Sequence, residues 1–178
     1  MKILVFSDIH GSAFYAQKML EILRKENADK LVLLGDIYNH GPRNNLPKDY
    51  NPLEVSNLLN SIKDKLIVVK GNCDSAVDTM ISEFDFIENC IITSGEKLVF
   101  FTHGHIYNKD NMPKTKVDCI CYGHFHTGFI EEQNGVIIAN AGSISLPKNN
   151  TAHSYLSLCD GNLILKDESG KIIKQISL

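Results

Sequence analysis

Apolar positions in the first part of the chain fall into short blocks, and the blocks switch between two periods. Lys2–Phe6 is a continuous apolar run, short enough for a buried strand. From Ala13 to Lys25, Phe14, Ala16, Met19, Leu20 and Leu23 recur on roughly one helical face. Leu31–Leu34 predicts a second strand. Pro52–Ile62 predicts a second helix, with Pro52 in its first turn and Leu53, Leu58, Leu59 and Ile62 as its stripe. Leu66–Val69 predicts a third strand. This alternation implies parallel βαβ units, whose strands end side by side along one edge of a sheet.

The second half changes character. Leu98–Thr102, Asp118–Tyr122, Phe129–Glu131, Val136–Asn140, His153–Cys159, Leu163–Lys166 and Lys171–Ile176 read as short strands. Asn134-Gly135, Asp160-Gly161 and Ser169-Gly170 mark turns between several of them. Hairpins after βαβ units predict a second, largely antiparallel sheet packed on the first. No repeat, low-complexity tract or linker divides residues 1–178, so one domain is expected. Tyr38–Pro52 has neither period and carries Pro42, Pro47 and Pro52; an irregular connection of this length suggests function.

Composition narrows the classes. Hydrophobic residues at 43% and charged residues at 22% are those of an ordinary globular protein. A net charge of −3 provides no broad footprint for extended nucleic acid or an anionic membrane. No stretch approaches the ~20 apolar residues of a membrane span, and Asp8 interrupts the first apolar run too early for a signal peptide. The five cysteines are odd in number and lack Cys-x-x-Cys spacing. Cys119 and Cys121 alternate as neighbours on one strand face, which reads as buried filler rather than a chelate. A cytoplasmic location is the resulting expectation.

Against that ordinary background, five segments end in metal-binding side chains: Ser7-Asp8-Ile9-His10, Gly35-Asp36, Gly71-Asn72, His103-Gly104-His105 and Gly123-His124-Phe125-His126. Most follow a predicted strand, so they would converge along one edge. Asp8 and His10 lie on the same side of an extended segment and can grip one ion together. A carboxylate such as Asp36 has two oxygens and can bridge two cations. Taken singly, each motif has a structural explanation: Asp caps helices, and Gly-Asp and Gly-Asn are common turn dipeptides. Together they supply hard oxygen and borderline nitrogen donors, a set suited to divalent first-row metals rather than a thiolate zinc site. No Gly-rich P-loop motif is present.

The order Asp-x-His, Gly-Asp, Gly-Asn, His, Gly-His-x-His resembles that of the calcineurin-like metallophosphoesterases. Among them the chain is most similar to the small bacterial YfcE-type phosphodiesterases. The resemblance runs over essentially the whole chain, including Gly41-Pro42-Arg43-Asn44 and Gly71-Asn72-Cys73-Asp74-Ser75. It implies a mixed α/β fold: a four-layer αββα sandwich of two mixed β-sheets flanked by helices. It also implies that Asp8, His10, Asp36 and His126 hold one metal ion, and that Asp36, Asn72, His103 and His124 hold a second, with Asp36 bridging. The implied activity is hydrolysis of small phosphodiesters by a metal-bridging hydroxide. The cofactors would be two divalent metal ions, manganese first, with iron, cobalt, nickel and zinc chemically compatible. A homodimer or homotetramer is implied as well. The alternatives are a phosphomonoesterase or nucleotide phosphatase using the same metals, and a non-catalytic protein-binding scaffold like the family's retromer member. Scaffold members tend to lose ligands, whereas every ligand position is filled here.

The resemblance makes Asp36, Asn72, Cys73, Asp74 and His103 the expected catalytic residues, and Arg43 and His105 the expected substrate-binding ones. Protein Ser/Thr phosphatases of the superfamily read Gly-Asp-x-x-Asp-Arg-Gly, but Gly35–Gly41 lacks that arginine. Arg43, slightly downstream, has the planar fork that suits phosphate, unless it is simply a solvated loop residue. Where many members carry Gly-Asn-His, Cys73 replaces the histidine. Cys73 is left open among a proton donor oriented by Asp74, a thiolate ligand and a packing group. His105 either faces the substrate or is structural.

Overall fold

The computed structural model describes residues 1–178. Fourteen elements follow in order: β1 (Ile3–Phe6), α1 (Ala13–Lys25), β2 (Lys30–Leu33), α2 (Pro52–Asn60), β3 (Leu66–Val69), β4 (Phe86–Ile87), β5 (Asn89–Ser94), β6 (Lys97–Thr102), β7 (Cys119–Tyr122), β8 (Phe129–Gln133), β9 (Val136–Asn140), β10 (Ser154–Cys159), β11 (Asn162–Asp167) and β12 (Ile172–Ser177). Short 3-10 turns occur at Lys63–Lys65 and Ala76–Met80.

The βαβ reading of the first part holds. β1, β2 and β3 are parallel neighbours, with Leu4 beside Leu31 and Val32 beside Ile67. Ser12 caps α1 by accepting from the Tyr15 N–H, and Asn51 caps α2 by accepting from the Glu54 N–H ahead of Pro52. Both faces of β1 are covered, which is why its sequence is apolar without alternation. Leu4 and Phe6 pack with Met19, Leu20 and Leu59 of the helices. Ile3 and Val5 pack between the sheets with Val99, Phe101 and Ala139.

The second half departs from expectation in two ways. The strand order is β12-β11-β10-β1-β2-β3-β4 in one sheet and β5-β6-β7-β9-β8 in the other. β10–β12 therefore extend the first sheet from β1 rather than completing the second. Turn signals fix which strands form a hairpin but not which sheet receives it. β10 decides the matter because it is buried on both faces: Tyr155 stacks on Phe6 with centroids 4.8 Å apart, while Leu156 and Leu158 face the other sheet. The second sheet is also less antiparallel than predicted, since β6, β7 and β9 run parallel and only its two edge pairs are antiparallel.

Both sheets are thus mixed, as the fold class requires, but helices flank only the first. The outer face of the second sheet, with Phe100, Ile120 and Tyr122, is covered by Tyr107, Met112 and Val117 from the irregular segment between β6 and β7. Side-chain amides there compete with helix formation: Asn108 donates to the Gly104 carbonyl (2.9 Å) and Asn111 to that of Ile106 (2.7 Å). The Tyr38–Pro52 connection is irregular, as expected. It docks on the β1–α1 turn through Asn51 N–H to Gly11 O (2.8 Å) and Ser12 Oγ to Lys48 O (2.5 Å). No helix is long and apolar enough to cross a membrane.

Candidate metal centre

Segments from both sheets meet at one edge, and the backbone bends sharply where each strand ends. Asp8, His10, Asp36, His124 and His126 all have positive φ, between 52° and 64°. This left-handed conformation costs a side-chain-bearing residue about 1–2 kcal/mol. The turns are held by Asp8 N–H to Gly35 O (3.1 Å), His10 N–H to Asp36 O (2.8 Å) and Gly123 N–H to His103 O (2.8 Å). Two glycines allow the close approach. A Cβ on Gly71 would lie 2.2 Å from Asp36 Oδ1, and one on Gly123 would lie 1.8 Å from Ser7 Oγ.

One half of the centre gathers Asp8, His10 and His126. Asp8 Oδ1 lies 3.3 Å from His126 Nε2 and 3.5 Å from His10 Nε2, and those two nitrogens are 3.1 Å apart. His10 Nδ1 donates to Asn39 O (2.6 Å) and His126 Nδ1 to Leu146 O (2.7 Å). With the protons committed to Nδ1, both Nε2 lone pairs face inward. Asp8 Oδ2 accepts from Ser7 Oγ (2.6 Å) and the His124 N–H (2.9 Å), whereas Oδ1 is buried with no hydrogen-bond partner. Two lone pairs and an unpaired carboxylate oxygen would oppose one another unless a cation joined them. Nitrogens about 3 Å apart suit two bonds of about 2.1 Å to one ion.

The other half gathers His103, His124, Asn72 and Asp36. His103 Nε2 lies 3.0 Å from Asn72 Oδ1, 3.1 Å from His124 Nδ1 and 3.5 Å from Asp36 Oδ1. Its Nδ1 donates to Leu34 O (2.6 Å), again turning Nε2 inward. The second oxygen of Asp36 lies 3.7 Å from His10 Nε2, so this carboxylate faces both halves.

The charge states suit the arrangement. Burial works against the Asp8 carboxylate, but without a cation His10 and His126 hold it well below the usual range by turning a proton towards it. Burial works against the charged form of His10 too, yet Asp8 raises it; a metal ion would take the place of that proton. Burial, and then the neighbouring His103 imidazole, pushes His124 down to about 4, which leaves the neutral imidazole that ligates metals. Burial, followed by the Asp36 charge, pushes the Cys73 thiol up to about 12.

A cavity of about 770 Å³ opens beside the cluster, lined among others by Asp36, Asn72, Cys73, His124 and Arg43. His105 is exposed and packs behind His103, 5.3 Å between ring centroids, without lining the cavity. Asp74 does not line it either. One of the open sequence readings had Asp74 orienting the thiol, but both its oxygens are engaged by backbone: Oδ2 accepts from Asp36 N–H (2.8 Å) and Gly71 N–H (2.7 Å), and Oδ1 from Ile37 N–H (2.8 Å). It clamps two strand-end turns together. Cys119 and Cys121 are buried between the sheets, Sγ to Sγ 3.8 Å, as packing residues.

Sequence reasoning missed several contributors. Ser143 and Ser145 each donate to the Asp8 carbonyl at 2.8 Å. The signal was available, because Ala141-Gly142-Ser143 follows an apolar strand just as the other segments do. Lys148, which belongs to no motif, and Phe125, the spacer of Gly123-His124-Phe125-His126, also line the cavity.

Known proteins resemble this chain in sequence and fold. Phosphodiesterase YfcE of Escherichia coli K12 is 38% identical, the match covering 100% of this chain and 98% of that protein. Its solved structure superposes with a TM-score of 0.95 at 37% identity, covering 99% of both chains. Probable metallophosphoesterase YsnB of Bacillus subtilis is 28% identical over 89% of this chain and 83% of its own length. Vps29 of Chaetomium thermophilum shares the fold at 18% identity, with a TM-score of 0.68 and coverage of 99% and 97%. Residues 1–159 match the sequence profile described as the calcineurin-like phosphoesterase superfamily domain, and to that superfamily the chain belongs.

Proposed function

We propose that this chain is a metal-dependent phosphodiesterase acting on small diesters. The observation that carries the reading is Asp36, whose two oxygens face two separate clusters of inward-turned ligands. Full-length similarity to phosphodiesterase YfcE supports it. Asp8, His10 and His126 with one Asp36 oxygen would hold one divalent cation. Asn72, His103 and His124 with the other oxygen would hold the second. The family resemblance puts manganese first, and iron, cobalt, nickel and zinc are also compatible with these oxygen and nitrogen donors. When bound, such cations offset charge on the phosphoryl oxygens and make a water acidic enough to attack phosphorus.

The residues of the chain do the rest. The carbonyls of Asn39, Leu34 and Leu146 fix the tautomer and tilt of three imidazoles. Arg43 enters the cavity from the Tyr38–Pro52 loop, where its guanidinium can take two phosphate oxygens. The cavity has room for ester groups on both sides of a phosphorus atom. With manganese-loaded protein, bis-p-nitrophenyl phosphate is expected to turn over at least about tenfold faster than p-nitrophenyl phosphate. Equal rates, or a faster monoester, would replace this reading with a phosphomonoesterase; no turnover of either would favour a scaffold.

Cys73 lines the cavity, and the contact to its sulfur is from Asn72 Nδ2 at 3.4 Å. With Asp74 engaged by backbone, the carboxylate that interacts with the thiol is Asp36, which itself faces the metal-ligand clusters rather than aiming the thiol at a leaving oxygen. Leaving groups must then depart largely unaided, so good ones are preferred. Cys73→Ala is expected to change kcat on both aryl and alkyl diesters by less than about threefold. General acids contribute about 10²–10⁴, so a hundredfold loss confined to the alkyl diester would make Cys73 the proton donor.

A further inference from the structure

The largest apolar group in the cavity wall is Phe125, which is 47% exposed although it stands between His124 and His126. Single exposed apolar side chains are ordinary on a protein surface. Phe125 differs because its position is fixed. Its N–H donates to Gly123 O (2.7 Å), and the residues on either side have left-handed backbone. Its ring sits nearly edge-on to His124 (5.0 Å, 80°) and to Tyr122 (6.1 Å, 78°). Such contacts hold a ring rigid while leaving area for another aromatic group. The cavity's two side-chain cations, Arg43 and Lys148, can meet phosphate charge, so Phe125 remains as the surface for an uncharged ester group. Lys148 is tied to the same turn through its N–H to His126 O (2.9 Å).

We propose that Phe125 is the specificity-determining residue of an ester-group subsite, and that the group it takes is an aromatic ring, as in an aryl or nucleoside ester. The proposal rests on the phosphodiesterase reading and adds its substrate class. Rings stack on protein aromatics with sequence-tolerant affinity because each presents a π-face.

Phenylphosphonate and methylphosphonate share a charged head and resist hydrolysis, so their ratio as inhibitors isolates the ring. Phenylphosphonate is expected to inhibit the manganese-loaded protein about tenfold more tightly, a gap that should fall to about twofold in Phe125→Leu. The chain contains no tryptophan, so Phe125→Trp installs a single reporter in the wall. Its fluorescence should respond saturably to phenylphosphonate and not to methylphosphonate. Equal inhibition by both compounds, or a ratio unchanged in Phe125→Leu, would overturn the subsite. The fluorescence titration needs no turnover. Ring binding by a protein inactive on diesters would therefore refute the phosphodiesterase reading alone.

Discussion

Asp36→Ala is expected to reduce diester hydrolysis by about 10³ or more and to lower bound metal below two ions per chain. The size follows from the double role of its carboxylate, which faces His10 through one oxygen and His103 through the other. Interactions to a charged group contribute about 1.5–3 kcal/mol each, and the variant loses one on each side. Every 1.36 kcal/mol off transition-state stabilisation is tenfold in rate, so two such losses reach about 10³. A complication is that Asp36 Oδ1 also accepts from the Cys73 N–H at 2.8 Å. Asp36→Asn retains an oxygen that can accept that bond and so separates turn stability from ligation. Measuring kcat/KM, metal content and thermal midpoint on both variants checks the point. Two ions retained, with a rate within tenfold of the parent, would remove Asp36 from its shared position.

The largest loss of stability is expected from Asp74→Ala, about 3–5 kcal/mol. Three buried N–H groups, those of Asp36, Ile37 and Gly71, lose their acceptor at once. Each orphaned donor costs about 1–3 kcal/mol, partly relieved by water reaching the gap. For a chain of this size the thermal midpoint should fall by roughly 10 °C. Asp74→Asn should recover only part of the loss: if its oxygen serves Ile37, its amide nitrogen meets the two donors that Oδ2 now accepts. Urea denaturation with chelator present gives the comparison without a contribution from metal binding. An unchanged midpoint for Asp74→Ala would mean that the two turns hold without the clamp.

The contrast between Asp36 and Asp74 shows what a sequence discloses. Candidate ligands at strand ends were legible because buried parallel strands are continuous apolar runs, and the residue after each run must lie at the sheet edge. Asp74 belongs to the same stretch as Asn72, yet its role depends on which backbone amides it meets across the fold, and spacing carries no trace of that. The sheet assignment of β10–β12 failed for a related reason. Hairpin signals are local, whereas the choice of neighbour for β1 is made by two-sided burial around Phe6 and Tyr155. The irregular cover over Phe100 and Tyr122 was equally hidden, since it is stabilised by side-chain amides rather than by a periodic stripe.

The pairing of β1 with β10 sets a schedule for biosynthesis. Ile3 lies beside Leu158, and the Asp8 carbonyl is held by Ser143 and Ser145, so β1 waits for partners made about 150 residues later. At roughly 5–20 residues per second that wait lasts about 8–30 s. During it the nascent polypeptide carries β1 with one edge unpaired and an aspartate whose surroundings are incomplete. Metal capture should therefore come late, once β10 has cleared the ribosome, and ribosome-bound intermediates halted before residue 154 should neither retain a divalent cation nor resist protease.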